Sequence, residues 1–164
     1  MSVDQQQLAA TAERLRAEES VPGLLGASAR AYVELFDAQA CTISRVIGDL
    51  LVDLFQYDRT NKPVRLGHGY LISDYPVTRA VIEEREPRTV SKEDPGADPN
   101  EVKLLEELGF ASLLMVALET DEGAWGLIEV YGVGSRSFTD EERRSAQQFA
   151  VDVGVILQQL ERRS

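Results

Sequence analysis

The chain has a single cysteine, Cys41, and a single histidine, His68, among its 164 residues. One cysteine excludes an intrachain disulfide and any metal site built from several thiolates. With one histidine and one cysteine, the sequence has too few ligands for a zinc site and too few partners for Cys–His catalysis. We therefore expect neither a metal site nor a catalytic residue of these kinds.

Basic residues are scarce relative to acidic ones. The sequence has 17 Lys and Arg against 28 Asp and Glu, and its net charge is −11. The acidic residues concentrate between Glu83 and Glu107, a segment that we interpret as a solvated face. Because such a surface repels phosphate backbones and anionic lipid, we expect no binding to nucleic acid or to membranes.

The sequence also lacks long apolar segments: its longest apolar run is too short to span a bilayer. The first residues, Met1 to Asp4 followed by three glutamines, lack the basic and apolar regions of a secretory signal. We expect a cytoplasmic protein. Its length and its apolar content of 43% are sufficient for one globular core.

Two continuous apolar runs near the C-terminal end stand out against these absences. Residues 111–118 and 125–131 flank the polar turn Thr120-Asp121-Glu122-Gly123. Such a pattern predicts a hairpin buried on both faces. Thr139-Asp140-Glu141-Glu142 follows and predicts a capping box at the start of a long last helix, over residues 140–162.

Periodicity and turn residues predict the other elements. In the first half of the chain, we expect a helix over 4–19, an interruption at 21–23, a helix over 24–37, and strands over 40–46 and 50–57 joined by Gly48-Asp49. A loop over 58–69 follows. We then expect a short helix from Asp74-Tyr75-Pro76, a short strand over 87–90, and a helix capped by Asp98 and closed by Gly109. Glu101 is placed to complete a capping box with Asp98.

The first and last helices carry apolar stripes with no obvious partner in the chain. The stripes consist of Leu8, Ala12 and Leu15 in the first helix and Val153, Ile156 and Leu160 in the last. Alternating spacings of three and four residues are typical of a coiled-coil seam. The stripes therefore predict a parallel homodimer, although a helix packed along its own sheet would give the same spacing.

Three motifs in order carry a family resemblance: residues 112–118, residues 126–131, and Phe138-Thr139-Asp140-Glu141-Glu142. Their order and spacing resemble the C-terminal half of a GAF domain, and the likeness extends over about residues 21–160. The resemblance implies an α+β fold: a six-stranded antiparallel sheet with long N- and C-terminal helices on one face and short helices and loops over a pocket on the other. Residues 1–20 would form an N-terminal helix for dimerisation or signalling, and residues 21–164 the GAF domain with its long C-terminal helix.

The resemblance also implies a function. We expect a non-enzymatic sensor or regulatory module that binds a small organic ligand and signals through a helical homodimer to an output domain or a partner protein. The alternative is a ligand-free dimerisation scaffold whose pocket is filled by its own side chains. Either the module acts in trans or the chain is part of a longer sensor.

The family's known ligands find little support in the residues. Tyr131-Gly132 stands where cyclic-nucleotide-binding members have Asn-Lys. Bilin-binding members attach the chromophore to a cysteine in a helical region, whereas Cys41 falls on a predicted strand. Haem-binding members have a histidine where residues 103–109 have none, and free methionine sulfoxide reductases need a second cysteine. The ligand and any cofactor stay unknown.

Glu129 is the main site candidate, because it interrupts an apolar strand and a half-buried carboxylate needs a partner. That partner is either a ligand or, if its face lies under the terminal helices, a group at their edge. Phe55, Tyr75 and Thr78 are further ligand-binding candidates, and Met115 and Cys41 join them if their faces point inward.

Overall fold

The computed structural model describes residues 3–60 and 69–163. Five α-helices cover Gln5–Leu15 (α1), Val21–Phe36 (α2), Pro76–Glu84 (α3), Pro99–Leu108 (α4) and Asp140–Arg163 (α5). Six strands cover Ala40–Ile47 (β1), Leu50–Asp58 (β2), Gly69–Leu71 (β3), Arg88–Ser91 (β4), Ser112–Thr120 (β5) and Gly123–Gly132 (β6). A 3₁₀ turn over Ile72–Asp74 precedes α3. None of the described helices is long and apolar enough to cross a membrane.

The strands form one antiparallel sheet in the order β3-β2-β1-β6-β5-β4. The predicted hairpin is confirmed as the pair β5 and β6, and it lies near the middle of the sheet. Gly48 has a φ of 62° in the turn between β1 and β2, as the predicted Gly-Asp hairpin requires. The α+β fold class predicted from the sequence is confirmed.

The sheet is covered on both faces by two different sets of helices. Ile128 and Val130 of β6 pack into a core formed with α1, α2 and α5. Leu127 and Tyr131 alternate with them and pack into a second core on the opposite face, beside α3 and α4. The predicted arrangement, with long helices on one face and short ones on the other, is therefore confirmed.

A β-bulge in β2 reverses which side chains face each core. Ile43 of β1 pairs with Phe55, but the next residue, Ser44, pairs with Asp53, so Leu54 is an extra residue. A bulge breaks the two-residue alternation of a strand. Asp53 faces the α3/α4 side before the bulge, whereas Phe55 packs under the long helices after it.

Side-chain caps begin the last two helices. The Thr139 hydroxyl accepts from the Glu142 N–H at 3.1 Å and Glu142 Oε1 accepts from the Thr139 N–H at 3.0 Å, which confirms the capping box. Arg136 pairs with Glu142 at 2.6 Å. Asp98 caps α4 as predicted. The capping role predicted for Glu101 is wrong, because its carboxylate accepts hydrogen bonds from Thr78 instead.

The N-terminal elements differ in detail from the prediction. Helix α1 ends at Leu15, and α2 begins already at Val21, with Pro22 in its first turn and the Ser20 hydroxyl as its cap. Proline is compatible with a first turn because no N–H is needed there. The interruption thus lies before residue 21, and β3, a three-residue strand, was not predicted at all.

The apolar stripes of α1 and α5 have partners inside the chain. All six stripe residues are buried, Leu8 being only 1% exposed, and all belong to the core under the long helices. The prediction that they are free to join two copies is wrong, because α1 packs across α2 and α5. Helix α5 itself lies directly on the sheet: a Cβ at Gly154 would come within 2.3 Å of the Glu119 carbonyl oxygen.

Because Leu8 is buried within one chain, Leu8→Ala should lower the free energy of unfolding by about 2–5 kcal/mol. The loss should not depend on protein concentration. Urea unfolding at two concentrations tenfold apart measures both. Val133→Ala, at a position that is 43% exposed outside the helices, is the control and should change stability by less than about 0.5 kcal/mol. A concentration-dependent loss for Leu8→Ala would restore the stripe as an interface between copies.

Candidate functional site

A cavity of about 160 Å³ lies between the sheet and the short helices. Its walls come from β1, β2, β3 and β6, with α3 and α4 beside them. Aromatic rings line it at Tyr70, Tyr75, Phe110 and Tyr131. Carboxylates line it at Asp53, Asp58, Glu107 and Glu129. Among the residues that the structure describes, no lysine, arginine or histidine lines this cavity.

Glu129 lies in the central strand β6. It is 7% exposed and accepts a hydrogen bond from the Tyr131 hydroxyl at 3.0 Å. Burial, reinforced by the charges of Asp53 and Glu101, raises the pKa of Glu129 from 4.5 to about 8. A carboxyl group with this pKa is mostly protonated at pH 7.

Glu101 joins the two short helices that flank the cavity. Its carboxylate, only 1% exposed in the first turn of α4, accepts from the Thr78 N–H at 3.1 Å and from the Thr78 hydroxyl at 2.7 Å. The start of α3 has no side-chain cap from Tyr75, so a carboxylate of the neighbouring helix satisfies one of its free N–H groups. Burial is the main cause of the raised pKa of Glu101, and the bonds from Thr78 oppose it.

Asp58 ends β2 with one oxygen bonded and one not. Its Oδ1 accepts from the Gln39 side chain at 3.2 Å, from the Thr60 N–H at 2.8 Å and from the Thr60 hydroxyl at 2.6 Å. Its Oδ2 is buried without a hydrogen-bond partner among the described residues, and the residue is 6% exposed. A buried carboxylate oxygen without a donor is costly unless another molecule supplies one.

The structure brings together half of the predicted site residues. Tyr75, Thr78 and Glu129 all line the cavity. Met115 lies in the same core, with its sulfur 3.5 Å from the Thr78 hydroxyl. The placement of Glu129 under the terminal helices, weighed as an alternative, is wrong. That these residues bind a ligand stays a prediction.

Cys41 and Phe55 are on the other face of the sheet, and their assignment to the cavity is wrong in position. Both pack in the core under the long helices. Cys41 is next to Thr42 in β1, and neighbouring side chains of a strand face opposite sides of the sheet, so Thr42 lines the cavity and Cys41 does not. The extra residue Leu54 shifts Phe55 to the face under the long helices. His68 and the Asn61-Lys62 pair lie outside the described residues.

Sequence reasoning missed several cavity residues. The sequence places Asp58 at the start of a loop and gives no sign that Thr42 and Gln56 line a cavity. Thr42 could have been found from strict alternation in β1, since it pairs with Glu129 across the sheet. Gln56 and Asp58 could not, because alternation from Asp53 places them on the opposite face unless the bulge is known.

A family model named GAF domain matches residues 23–157, which is most of the chain. The chain belongs to the GAF domain family. Its cavity lies where the resemblance implies the family's ligand pocket, under the short helices. No curated protein matches the chain.

Solved structures of similar fold include several phytochromes. A phycoerythrobilin-bound GAF domain from a cyanobacterial phytochrome matches with a TM-score of 0.84 and 15% identity, over 98% of this chain and 99% of that one. The bacteriophytochrome RpBphP3 from R. palustris matches with a TM-score of 0.83 and 14% identity, over 96% of this chain but only 38% of that one. The Stigmatella aurantiaca photosensory core matches with a TM-score of 0.80 and 18% identity, over 95% of this chain and 36% of that one. At these identities the likeness shows the shared fold.

The described residues do not fit a covalently attached bilin. The chain's one cysteine, Cys41, is buried on the opposite face of the sheet from the cavity. A cavity of about 160 Å³ is close to one that holds a single benzene-sized ring, roughly 150 Å³, whereas a bilin has four rings. Its acid groups would also meet carboxylates here, with no base among the described lining residues.

Glu129→Gln should change how stability depends on pH. Because the pKa of Glu129 is about 8 when folded and its ordinary value is 4.5, the folded chain keeps a proton that the unfolded chain loses between these values. The contribution of this proton to the free energy of unfolding is fully present below pH 4.5. It is lost as pH rises from there through 8, at up to about 1.4 kcal/mol per pH unit.

Urea unfolding at half-unit steps from pH 5 to pH 8 measures this slope. The wild type should lose a few kcal/mol more than Glu129→Gln across the window. Glu101 also has a raised pKa but is present in both proteins, so its contribution cancels in the difference. Parallel curves for the two proteins would show that Glu129 is ionised in the folded state.

Proposed function

We propose that this GAF domain is a non-enzymatic sensor or regulatory module that binds a small organic ligand in the cavity between the sheet and α3/α4. The observation that carries the proposal is the cavity itself, which is partly enclosed and lined by aromatic rings with a few polar groups. Ligand sites in proteins typically combine these features. The phytochrome domains of the same fold are named as chromophore-binding, which supports a ligand role for the same region.

The runner-up function, a ligand-free scaffold, requires a pocket filled by the chain's own side chains. The cavity of about 160 Å³ and the Asp58 oxygen that has no partner in the described part of the chain both favour ligand binding over this alternative. Buried polar atoms inside a self-filled core would be expected to pair with one another.

A catalytic role has little support in the chemistry of the described residues. The thiol of Cys41 is fully buried, and burial raises its pKa well above the ordinary value. A thiol in this state is a poor nucleophile. The Thr78 hydroxyl donates to the buried Glu101 carboxylate in the contact that joins α3 to α4, so this pair already has a structural role.

A thermal-shift screen tests the ligand proposal. A library of one- and two-ring fragments, containing cations, neutral molecules and anions, should include compounds that raise the melting temperature by about 5 °C or more at 100-fold excess over Kd. Leu51→Phe narrows the cavity from the β2 wall and should abolish these shifts, and Leu51→Met is its volume-matched control.

Native mass spectrometry of the freshly purified chain adds a second readout, because a retained ligand would appear as a fixed mass increment. If no compound of any charge shifts the wild type more than Leu51→Phe, and no mass increment is found, the scaffold function replaces the sensor function.

We also propose that the module assembles as a homodimer through α5. The apolar stripes of α1 and α5 are buried and cannot form the interface between two copies. The outward side of α5 instead has an uncharged strip, formed by Gln147, Gln148, Val151, Val155 and Gln158. Both valines are more than half exposed. In a chain with a net charge of −11, an uncharged strip is where two copies approach with the least repulsion. A ligand signal would pass along such a pair of helices to an output domain or partner protein.

Light scattering with Val151→Glu and Val155→Glu combined tests the dimer. The wild type should be a dimer and the double variant a monomer, because four buried carboxylates would face each other across the two-fold axis. Val133→Glu, at an exposed valine outside α5, is the control and should stay dimeric. A monomeric wild type, or a dimeric double variant, contradicts the proposal.

A further inference from the structure

The charge of the cavity points to the chemical class of its ligand. Four carboxylates line it and no base among the described residues does. These carboxylates would repel a ligand with its own negative charge, whereas a cation would be attracted by each ionised carboxylate nearby. Glu107, at the exposed rim, extends the same charge to the entrance.

Asp58 provides an independent indication. Three hydrogen bonds to Oδ1 fix the carboxylate in place. Oδ2 has no partner within residues 3–60 and 69–163, although Asp58 is more than nine-tenths buried in the cavity wall. Such an oxygen accepts strongly from a charged N–H donor, since charge-assisted hydrogen bonds are about twice as strong as neutral ones.

The aromatic walls suit an organic cation. Phe110 stacks on Tyr131 with ring centroids 4.5 Å apart, and Tyr70 meets Tyr75 edge to face at 6.1 Å. Ring faces attract ammonium groups and pack against flat apolar groups. No group of three metal-binding side chains forms among the described residues, which disfavours a metal ion.

We propose that the ligand is a protonated organic amine with one or two rings, whose ammonium group binds to Asp58 and Glu129 while its rings lie against the tyrosines. This inference rests on the proposed function of the cavity and names the class of molecule that it takes. The cavity volume of about 160 Å³ matches one enclosed ring, and a second ring would extend towards the rim at Glu107.

Binding of such a cation is coupled to a proton on Glu129. The ionisable groups that interact with Glu129 come from each element around it: Cys41 on β1, Asp53 on β2, Tyr75 before α3, Glu101 on α4 and Tyr131 on β6. None of these groups carries a positive charge, and burial with the charges of Asp53 and Glu101 keeps Glu129 mostly protonated at pH 7. An ammonium group beside it favours the carboxylate, and the proton leaves as the amine binds.

Matched probes that differ only in charge test the ligand class. Phenethylamine, 2-phenylethanol and 3-phenylpropanoate form one set, and tryptamine, tryptophol and 3-indolepropionate the other. Calorimetric titration and ligand-observed NMR should show that each amine binds about tenfold or more tightly than its alcohol. The two anions should not bind. This comparison uses the wild type alone and does not depend on the folding of any variant.

Asp58→Asn tests the contact itself. The substitution can keep Oδ1 as the acceptor for Gln39 and Thr60 while it replaces the unpaired oxygen with an amide. It should weaken amine binding about tenfold and leave the alcohols unchanged. Glu122→Gln, at the exposed turn between β5 and β6, removes the same charge far from the cavity and should change neither.

Titrations of the amines at pH 7 in phosphate and in Tris measure the proton. The wild type should release close to one proton per amine bound and Glu129→Gln none, and equal heats in both buffers for the wild type would contradict the role of Glu129.

Alcohols or anions that bind as tightly as the amines would overturn the amine class and leave the sensor function standing. Failure of all six probes would overturn the amine class, and the sensor function falls only if the fragment screen is also negative.

Discussion

Burial of the central sheet on both faces is the constraint on which the rest of the structure depends. Each residue of β6 from Trp125 to Gly132 is buried, so successive side chains must suit two different cores. On one face they are apolar and three long helices cover them closely. On the other face the strands carry Thr42, Asp53 and Glu129, which need partners or space. The cavity follows from this asymmetry, because two short helices cover a face that apolar packing does not fill.

The bond between Thr78 and Glu101 holds that cover together. It joins the first turn of α3 to the first turn of α4 and satisfies a backbone N–H that has no local cap. Tyr75 immediately precedes α3, and Leu104 and Glu107 lie on α4, so this contact helps to position the cavity wall. A buried carboxylate therefore has a structural role in the wall, while another, Glu129, faces the space inside.

Much of the fold was predictable from the sequence because it depends on local signals. The hairpin of β5 and β6, the Thr139 capping box and the cap at Asp98 each have a short pattern with a physical cause. The failures all involve contacts between distant segments. Periodicity shows that Leu8 and Leu160 lie on apolar stripes, but it cannot show that both pack into one core of the same chain. Glu101 matches the local pattern of a capping box, but in the folded chain its carboxylate bonds to Thr78 on another helix.

The extra residue at Leu54 gives the β2 strand an unusual tolerance to the loss of one residue. Upstream of it the odd-numbered residues face the cavity, and downstream the even-numbered ones do. Loss of Leu54 would place Phe55 directly after Asp53 and restore regular pairing with β1, so Gln56 and Asp58 would stay in the cavity wall. In a regular strand the loss of one residue exchanges the two faces of everything that follows. This strand carries one spare residue, so a polar binding wall would survive a deletion that normally turns a strand over.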